Sequence, residues 1–361
     1  MPEFIKGREL SARFYEEIAA PILRRQFPEL PLSAGFLGYG SDVLGYDDPV
    51  STDHMWGPRF YLFLREEDFS QAPHIMRAFS ENFPVRYLGY CVHFSEPDPN
   101  DNGVRHPEPE HTGPVSPLVF IHTVKGYLQQ YLGTGELKEL SPADWLSFSE
   151  HRLLALRKAS FFRDDLGFLK ELQQLHFYPE PVLCYLLASN WSLIAEEQAF
   201  VRRCADVGDE TGSMLACARI AERLMRLVFL YCGEYAPYSK WFGTAFSRLP
   251  ADPAISEAIS GALSAREIGE REELLVQAQI LVAGVHNASG LTSPVEVRVQ
   301  NYFGRNIRVI FADRIAQAIA SRLQGTPLSH LPLIGTLSGV ANFTAISDSP
   351  KELSRVKALY L

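Results

Sequence analysis

This sequence predicts an α+β protein in which a mixed-sheet domain precedes an all-α helical bundle. Three observations carry that expectation. The runs Arg59–Leu64 and Leu118–Thr123 are dense in aromatic and branched apolar side chains, as strands are. After about residue 150 the apolar residues recur at helical spacing almost throughout. Between those two strand runs lies a long proline-punctuated stretch, Glu96–Pro117. The expected division is residues 1–145 for the sheet domain and 146–361 for the bundle.

In chain order, Leu10, Phe14, Ile18 and Ile22 mark one amphipathic helix over Gly7–Phe27, ending before Pro28. A short apolar strand at 35–39 follows, then the strand Arg59–Leu64, a helix over Phe69–Phe83 and a strand over Val85–Phe94. Six prolines between Glu96 and Pro117 forbid regular structure and predict a long loop, a length usually tied to function or mobility. Leu118–Thr123 is a further strand, and Val124–Leu132 a helix stopped at Gly133. Ser141-Pro142 starts another helix, with serine as N-cap and proline in the first turn. In the bundle, Val182–Ile194 is apolar on nearly every face and predicts a central helix. Met214, Ala218, Ala221, Met225, Val228 and Cys232 form a heptad-like stripe predicted to face a core. Helices over Glu270–Val285 and Ile307–Leu323 complete the expectation.

Composition limits the function classes. A length of 361 residues with 46% hydrophobic content suits a folded protein of two domains. The formal net charge of −9 argues against nucleic-acid binding through bulk electrostatics, although a local basic cleft can still hold a polyphosphate. No apolar run reaches the roughly 18–20 residues of a membrane span, and the start lacks a signal-peptide core, so a cytoplasmic location is expected. Five scattered cysteines without a Cys-x-x-Cys pair suit reduced, packed thiols.

One segment carries chemistry. Gly38-Tyr39-Gly40-Ser41 is a tight small-residue turn, and Ser51-Thr52-Asp53 precedes the strand Arg59–Leu64. Phosphoryl-transfer sites need such a turn beside the triphosphate and carboxylates on the next strand for Mg²⁺. In that reading Gly40 gives close backbone approach, Ser41 a hydroxyl to phosphate, and Asp53 a metal ligand. In the plain reading the glycines punctuate a hairpin and Asp53 forms a turn, and spacing alone favours it.

Gly40-Ser-Asp-Val-Leu-Gly-Tyr-Asp47 and Ser51-Thr-Asp-His-Met-Trp-Gly-Pro-Arg59 resemble the nucleotidyltransferase-like family catalogued as domain of unknown function 4037. The resemblance continues at Tyr178-Pro179, Ala188–Trp191, Glu197 to Arg203, Val207–Ser213, Tyr235–Trp241 and His286 to Thr292. It implies a nucleotidyltransferase-like palm joined to a helical bundle, with Asp53 and His54 catalytic and Asp53 on the metal. Position 55, where the wider superfamily usually has a second carboxylate, holds Met55, and Leu118–Thr123 offers His122 instead of a third acid. Asp42, Asp47, Asp48 and Glu96 are the acids near enough in sequence to substitute, and Asp42, Asp48 or His122 the candidates for a general base.

Other candidates have structural alternatives. Arg59 can reach an anion or serve as a paired strand-end side chain. Tyr235, Tyr238, Lys240 and Trp241 suit either a base-stacking surface with a phosphate contact, chiefly Lys240 and Tyr238, or an aromatic-packed turn. Arg203 and Asp209 can pair, and Asp209 or Ser213 can cap the next helix. Arg219, Arg223 and Arg226 suit a solvated face more than a polyphosphate cleft. The expectation is a Mg²⁺-dependent transfer of a nucleoside monophosphate from a nucleoside triphosphate to a hydroxyl of a small-molecule or macromolecular acceptor. The alternatives are a degenerate nucleotide- or substrate-binding protein and a protein-interaction scaffold.

Overall fold

The computed structural model describes every residue except 1–2, 53–54, 102, 337–345 and 347–348. The chain forms two compact units, Met1–Glu139 with Arg152–His176, and Leu140–His151 with Phe177–Leu361. These units are discontinuous, where the sequence suggested one cut after residue 145.

The amino-terminal helix is built as α1 (Gly7–Phe14), a π turn at Tyr15–Ala19 and α2 (Ala20–Gln26). Pro21 accounts for the wider turn, because it has no N–H for the preceding carbonyl and its ring crowds that oxygen. Next come β1 (Leu32–Phe36), a single helical turn α3 (Ser41–Leu44), β2 (Arg59–Leu64) and α4 (Ala72–Asn82). The stretch expected as one strand over Val85–Phe94 is instead a small separate hairpin, β3 (Arg86–Tyr87) and β4 (Tyr90–Cys91). Leu88 and Gly89, both at positive φ, turn the chain back before a longer strand can form. The chain continues through β5 (Leu118–Thr123), α5 (Val124–Leu132), α6 (Pro142–Ser147) and α7 (Glu150–Arg157). Thr123 caps α5, Gly133 ends it in the left-handed conformation, and Ser141 with Asp144 makes a reciprocal capping box on α6.

A strand that helical periodicity did not announce, β6 (Ser160–Asp164), follows and leads to α8 (Phe168–Leu172). The four-stranded sheet runs β5-β2-β1-β6, with β2 and β5 parallel and the other pairs antiparallel. Gly35 makes the β1–β6 contact possible, since a Cβ there would sit 2.7 Å from the Ser160 carbonyl oxygen. Every residue of β2 is buried. Phe60, Leu62 and Leu64 join the core made with α1, α2 and α4, whereas Phe63 meets Tyr127 and Phe168 edge-on. The sheet is therefore covered on both faces.

The loop from Glu96 to Pro117 forms no regular element beyond two isolated bridges. It is nonetheless held at its root: Arg105 donates to the carbonyls of Phe94, Ser95, Ser116 and Pro117 and to the Ser116 hydroxyl.

Among its described residues, the second unit has helices and one two-stranded hairpin. Its long helices are α9 (Glu180–Glu197), α11 (Glu210–Tyr231), α13 (Pro253–Ser264) and α14 (Ile268–Ser289), with α10 (Phe200–Asp206), α12 (Ser239–Phe246) and α15 (Asp313–Ala320) shorter. The apolar α9 is central, and Trp191 on it is fully buried. The stripe expected on α11 is inward only in part: Ala221 and Val228 are buried beside Ser213, Ala216, Cys217, Ile220, Leu224 and Leu227, while Met214 is 47% exposed and Ala218 is exposed. Packing by small residues against α9 and α14 outweighs the pull of methionine. Helix α15 starts six residues later than expected, after the strand Arg308–Val309.

Buried polar groups join these helices. Arg271 donates to the Ser213 hydroxyl (2.9 Å) and the Ala265 carbonyl (2.9 Å), linking α11, α13 and α14. Trp191 Nε1 donates to the Tyr231 hydroxyl (3.1 Å), which lies 3.1 Å from His286 Nδ1, and His286 Nε2 lies 2.9 Å from Thr292 Oγ1. Burial pulls the His286 imidazole below its ordinary pKa. A depressed histidine pKa makes a stability contribution that is present above the unfolded value and is lost as pH falls. Lowering the pH from about 7 to about 5 should therefore lower the melting temperature, and His286→Gln should make that fall shallower. Differential scanning calorimetry across the range checks it.

All five cysteines are unpaired. No helix among the described residues is long and apolar enough to cross a membrane.

Candidate functional site

The turn after β1 is a backbone that only glycine accepts comfortably. Gly38 and Gly40 have φ of 96° and 104°. A Cβ on Gly38 would lie 2.5 Å from the Tyr61 hydroxyl, and one on Gly40 would lie 2.4 Å from Asp42 Oδ1. Tyr131 donates to the Gly38 carbonyl at 2.7 Å. Ser41 then opens the α3 turn, which closes at Gly45 with Tyr46 N donating to the Ser41 carbonyl at 2.8 Å.

Beneath the turn lies a buried ion pair. Arg59, the first residue of β2, donates Nη2–H to Asp42 Oδ1 at 2.8 Å, and both side chains are 1% exposed. The guanidinium also donates to the carbonyls of Tyr39 and Met55 and lies 4.4 Å from the centre of the Tyr39 ring. Burial pushes the Asp42 carboxyl up against the opposing pull of Arg59. The Tyr39 phenol is likewise raised by burial. Four buried polar atoms here have no hydrogen-bond partner among the described residues: Asp42 Oδ2, Arg59 Nε, the Tyr39 hydroxyl and Trp56 Nε1. Arg59 therefore spends its charge on holding the turn, which places it under the phosphate site of the sequence reading rather than in it.

Asp47 and Asp48 are also engaged. Asp47 accepts from Gly7 N at 2.7 Å, capping α1, and pairs with Lys6 at 3.4 Å. Asp48 accepts from Val50 N and Ser51 N. Glu96 is exposed in the long loop. His122 pairs with Phe63, whereas Leu118 pairs with Arg59, so His122 lies four residues along β5 from the sheet end that carries the turn. At the usual rise that is about 13 Å. Burial holds its pKa below the ordinary value, and it stacks on Tyr61. Asp42 and His122 are thus poorly placed as general bases for the turn. Asp53 and His54, the two catalytic candidates, lie outside the described residues. Met55 takes φ of 48°, and Trp56 stacks on Phe4 and meets Tyr90 edge-on.

Mg²⁺ is the metal that the sequence reading calls for. Among the described residues no group of three His, Cys, Asp or Glu side chains could hold it. Asp42 is the one buried acid at the turn with an unpartnered oxygen, and its other oxygen belongs to Arg59. The described residues by themselves thus assemble no metal centre, and Asp53, the expected ligand, is not among them.

Lys240 and Tyr238 belong to the second unit, and Gly40, Ser41 and Arg59 to the first. Tyr238 precedes α12 and accepts from Trp241 Nε1 at 2.9 Å, while the exposed Lys240 ammonium lies 5.0 Å over the Trp241 ring. Tyr235 is packed into the core against Tyr178. The arginines of α11 do not share one fate. Arg219 pairs with Glu197, and Arg226 is buried against Glu150 (2.9 Å) and Glu222 (2.9 Å). Burial lowers the Arg223 guanidinium pKa and raises that of the Glu150 carboxyl. Asp209 caps α11 through Gly212 N, Ser213 accepts from Arg271, and Arg203 lies over the Phe200 ring.

Tyr131 and Tyr61, which complete the turn, escaped the sequence reading. Tyr131 carried no signal, being remote in sequence; Tyr61 was legible only as a strand residue.

Comparison with solved structures finds a crystal structure of a nucleotidyltransferase-like protein from Exiguobacterium sibiricum 255-15. The two are 14% identical, with 78% of this chain and 77% of that chain covered and a TM-score of 0.34. No curated protein matches the chain. Residues 145–242 match the family model described as Domain of unknown function (DUF4037), the same family that the motifs from Tyr178 to Trp241 resemble.

Proposed function

We propose that the first unit binds a nucleoside triphosphate at the Gly38–Ser41 turn and passes its nucleotidyl group to a hydroxyl of a small-molecule or macromolecular acceptor. The observation that supports this most is the turn itself. Gly40, exposed and in a conformation closed to other residues, presents bare backbone at the end of β1 with Ser41 next in line, while the buried Gly38 makes room for Tyr61. In this reading Gly40 lets the phosphates approach, Ser41 donates to them, and Asp53, with His54 beside it, supplies the carboxylate chemistry. Mg²⁺ held at Asp53 would supply Lewis acidity. Arg59 and Asp42 position the turn.

A second reading, nucleotide binding without transfer, is favoured by Met55 in place of a second carboxylate and by the absence of any acid in β5. Titration calorimetry with each nucleoside triphosphate, with and without Mg²⁺, together with pyrophosphate release, separates the two. Ser41→Ala should weaken binding about tenfold, the scale of one hydrogen bond to a charged group. Asp53→Asn should abolish pyrophosphate release while leaving metal-free binding intact. Binding without release by the unaltered protein favours the second reading, and no binding of any nucleoside triphosphate sinks both.

A further inference from the structure

The hairpin of the second unit, β7 (Gln300–Asn301) and β8 (Arg308–Val309), has a tip whose chemistry nothing above uses. Phe303 and Gly304 are its central residues, both at positive φ (45° and 79°), with Arg305 N donating to the Tyr302 carbonyl at 3.0 Å. Such a turn is cheapest with Asn-Gly or Gly-Gly. Here a phenylalanine occupies the strained first position and leaves its side chain 78% exposed. Phe311 is strained in the same way, at φ 53°. Bulky residues in this region are genuine outliers, and retained strain of this kind concentrates at functional sites.

The three rings make one surface. Phe303 meets Tyr302 edge-on at 4.7 Å and Phe311 edge-on at 5.8 Å, and Tyr302 stacks with Phe311 at 6.4 Å. The platform is fixed from below. Ala199, Ile307 and Val309 form a small core on which Tyr302 and Phe311 pack. The buried Gln198 and Glu272 side chains accept from Ile310 N (3.2 Å) and Arg308 N (3.1 Å).

Cations border the rings. Arg314 is exposed with its guanidinium 5.5 Å from the centre of the Phe311 ring, and Arg305 is exposed next to the tip. Phe303 is exposed and Tyr302 and Phe311 are half-buried beneath it; fixed aromatic faces beside guanidinium groups are the means by which proteins hold unpaired bases and their phosphates. We propose that the Tyr302/Phe303/Phe311 hairpin is a stacking platform for single-stranded nucleic acid, with Arg305 and Arg314 contacting the phosphates. Stacking lets a local platform work on a chain of net charge −9, where bulk attraction cannot. The proposal does not depend on the nucleotide site of the first unit.

Fluorescence anisotropy of a labelled single-stranded oligouridylate with the full chain at low salt tests it. The unaltered protein should bind the single strand in preference to a duplex. Phe303→Asn removes the ring and suits the turn better, so its melting temperature should hold or rise while the dissociation constant rises about tenfold, the scale of one stacked base. Phe303→Tyr should retain binding, and Arg305→Ala should make the salt dependence shallower by about one phosphate contact. The proposal is overturned if the unaltered protein does not bind the oligouridylate, if a duplex binds equally well, or if Phe303→Asn binds as tightly as the parent. Concentration-dependent self-association that Phe303→Asn abolishes, without oligouridylate binding, would instead make the platform a contact between copies.

Discussion

Arg59→Met should cost about 3–5 kcal/mol of folding stability, because it strands the Asp42 carboxylate in a site with no other cation at ion-pair distance among the described residues. Asp42 is 2% exposed, and Arg59 is its ion-pair partner at 2.8 Å. The loss should show as a lower midpoint in urea denaturation. It also carries a pH signature. The Asp42 carboxyl is already raised by burial, and removing the guanidinium removes the term opposing that rise. A carboxyl raised in the folded state stabilises the fold when protonated and loses that contribution as pH climbs from the unfolded value of about 3.9 through the folded one. The variant should therefore be least damaged at low pH. Asp42→Leu combined with Arg59→Met should recover most of the loss, since replacing both members of a buried pair removes the unpaired charge. A double variant as unstable as the single one would show that the guanidinium's bonds to the Tyr39 and Met55 carbonyls, rather than the ion pair, hold the turn.

The second large effect is expected at Gly40, where alanine should cost about 3 kcal/mol or more and remove nucleotide binding. Two penalties coincide. The backbone at φ 104° and ψ 157° lies in a region essentially reserved for glycine. The added Cβ would also lie 2.4 Å from Asp42 Oδ1 and 3.0 Å from Arg59 Nη2, atoms held together by the ion pair. Gly45→Ala is the control. Its φ is 82° but nothing lies within 4 Å of a Cβ there, so only the backbone penalty of about 1 kcal/mol applies. Thermal melting and triphosphate titration of both variants read the difference. Equal losses in the two would mean that the close packing around Gly40 yields easily.

Both predictions concern a turn that was visible in the sequence as Gly-x-Gly-Ser, while the reason for its glycines was not. A sequence can show that Gly38 and Gly40 flank Tyr39; it cannot show that the Tyr61 hydroxyl and the Asp42 carboxylate occupy the space where side chains would go. Arg59 illustrates the same limit. Its alternatives, anion contact or paired strand-end residue, are equivalent in one dimension, and its burial with Asp42 separates them.

Local signals proved sufficient where a single element carries its own information. Arg59–Leu64, Leu118–Thr123 and Val124–Leu132 fall on the expected residues, and Ser141 with Pro142 starts its helix as its chemistry requires. Strand β6 escaped because Ser-Phe-Phe-Arg-Asp is too short for a period to show, and its pairing with β1 lies well over one hundred residues away in sequence. The inward face of α11 was misjudged by about one residue's rotation, Ala221 and Val228 apart, because methionine and alanine read as core in isolation, whereas the small residues Ala216 and Cys217 admit the neighbouring helices. By itself, the sequence determined the α+β class, both ends of α5, the start of α6 and the glycine turn, since propensity, capping and backbone sterics act within a few residues. Which carboxylates are spent on structure, which face of a helix is buried and which rings form a platform were decided only by the tertiary structure, because those depend on contacts between residues that the chain alone keeps far apart.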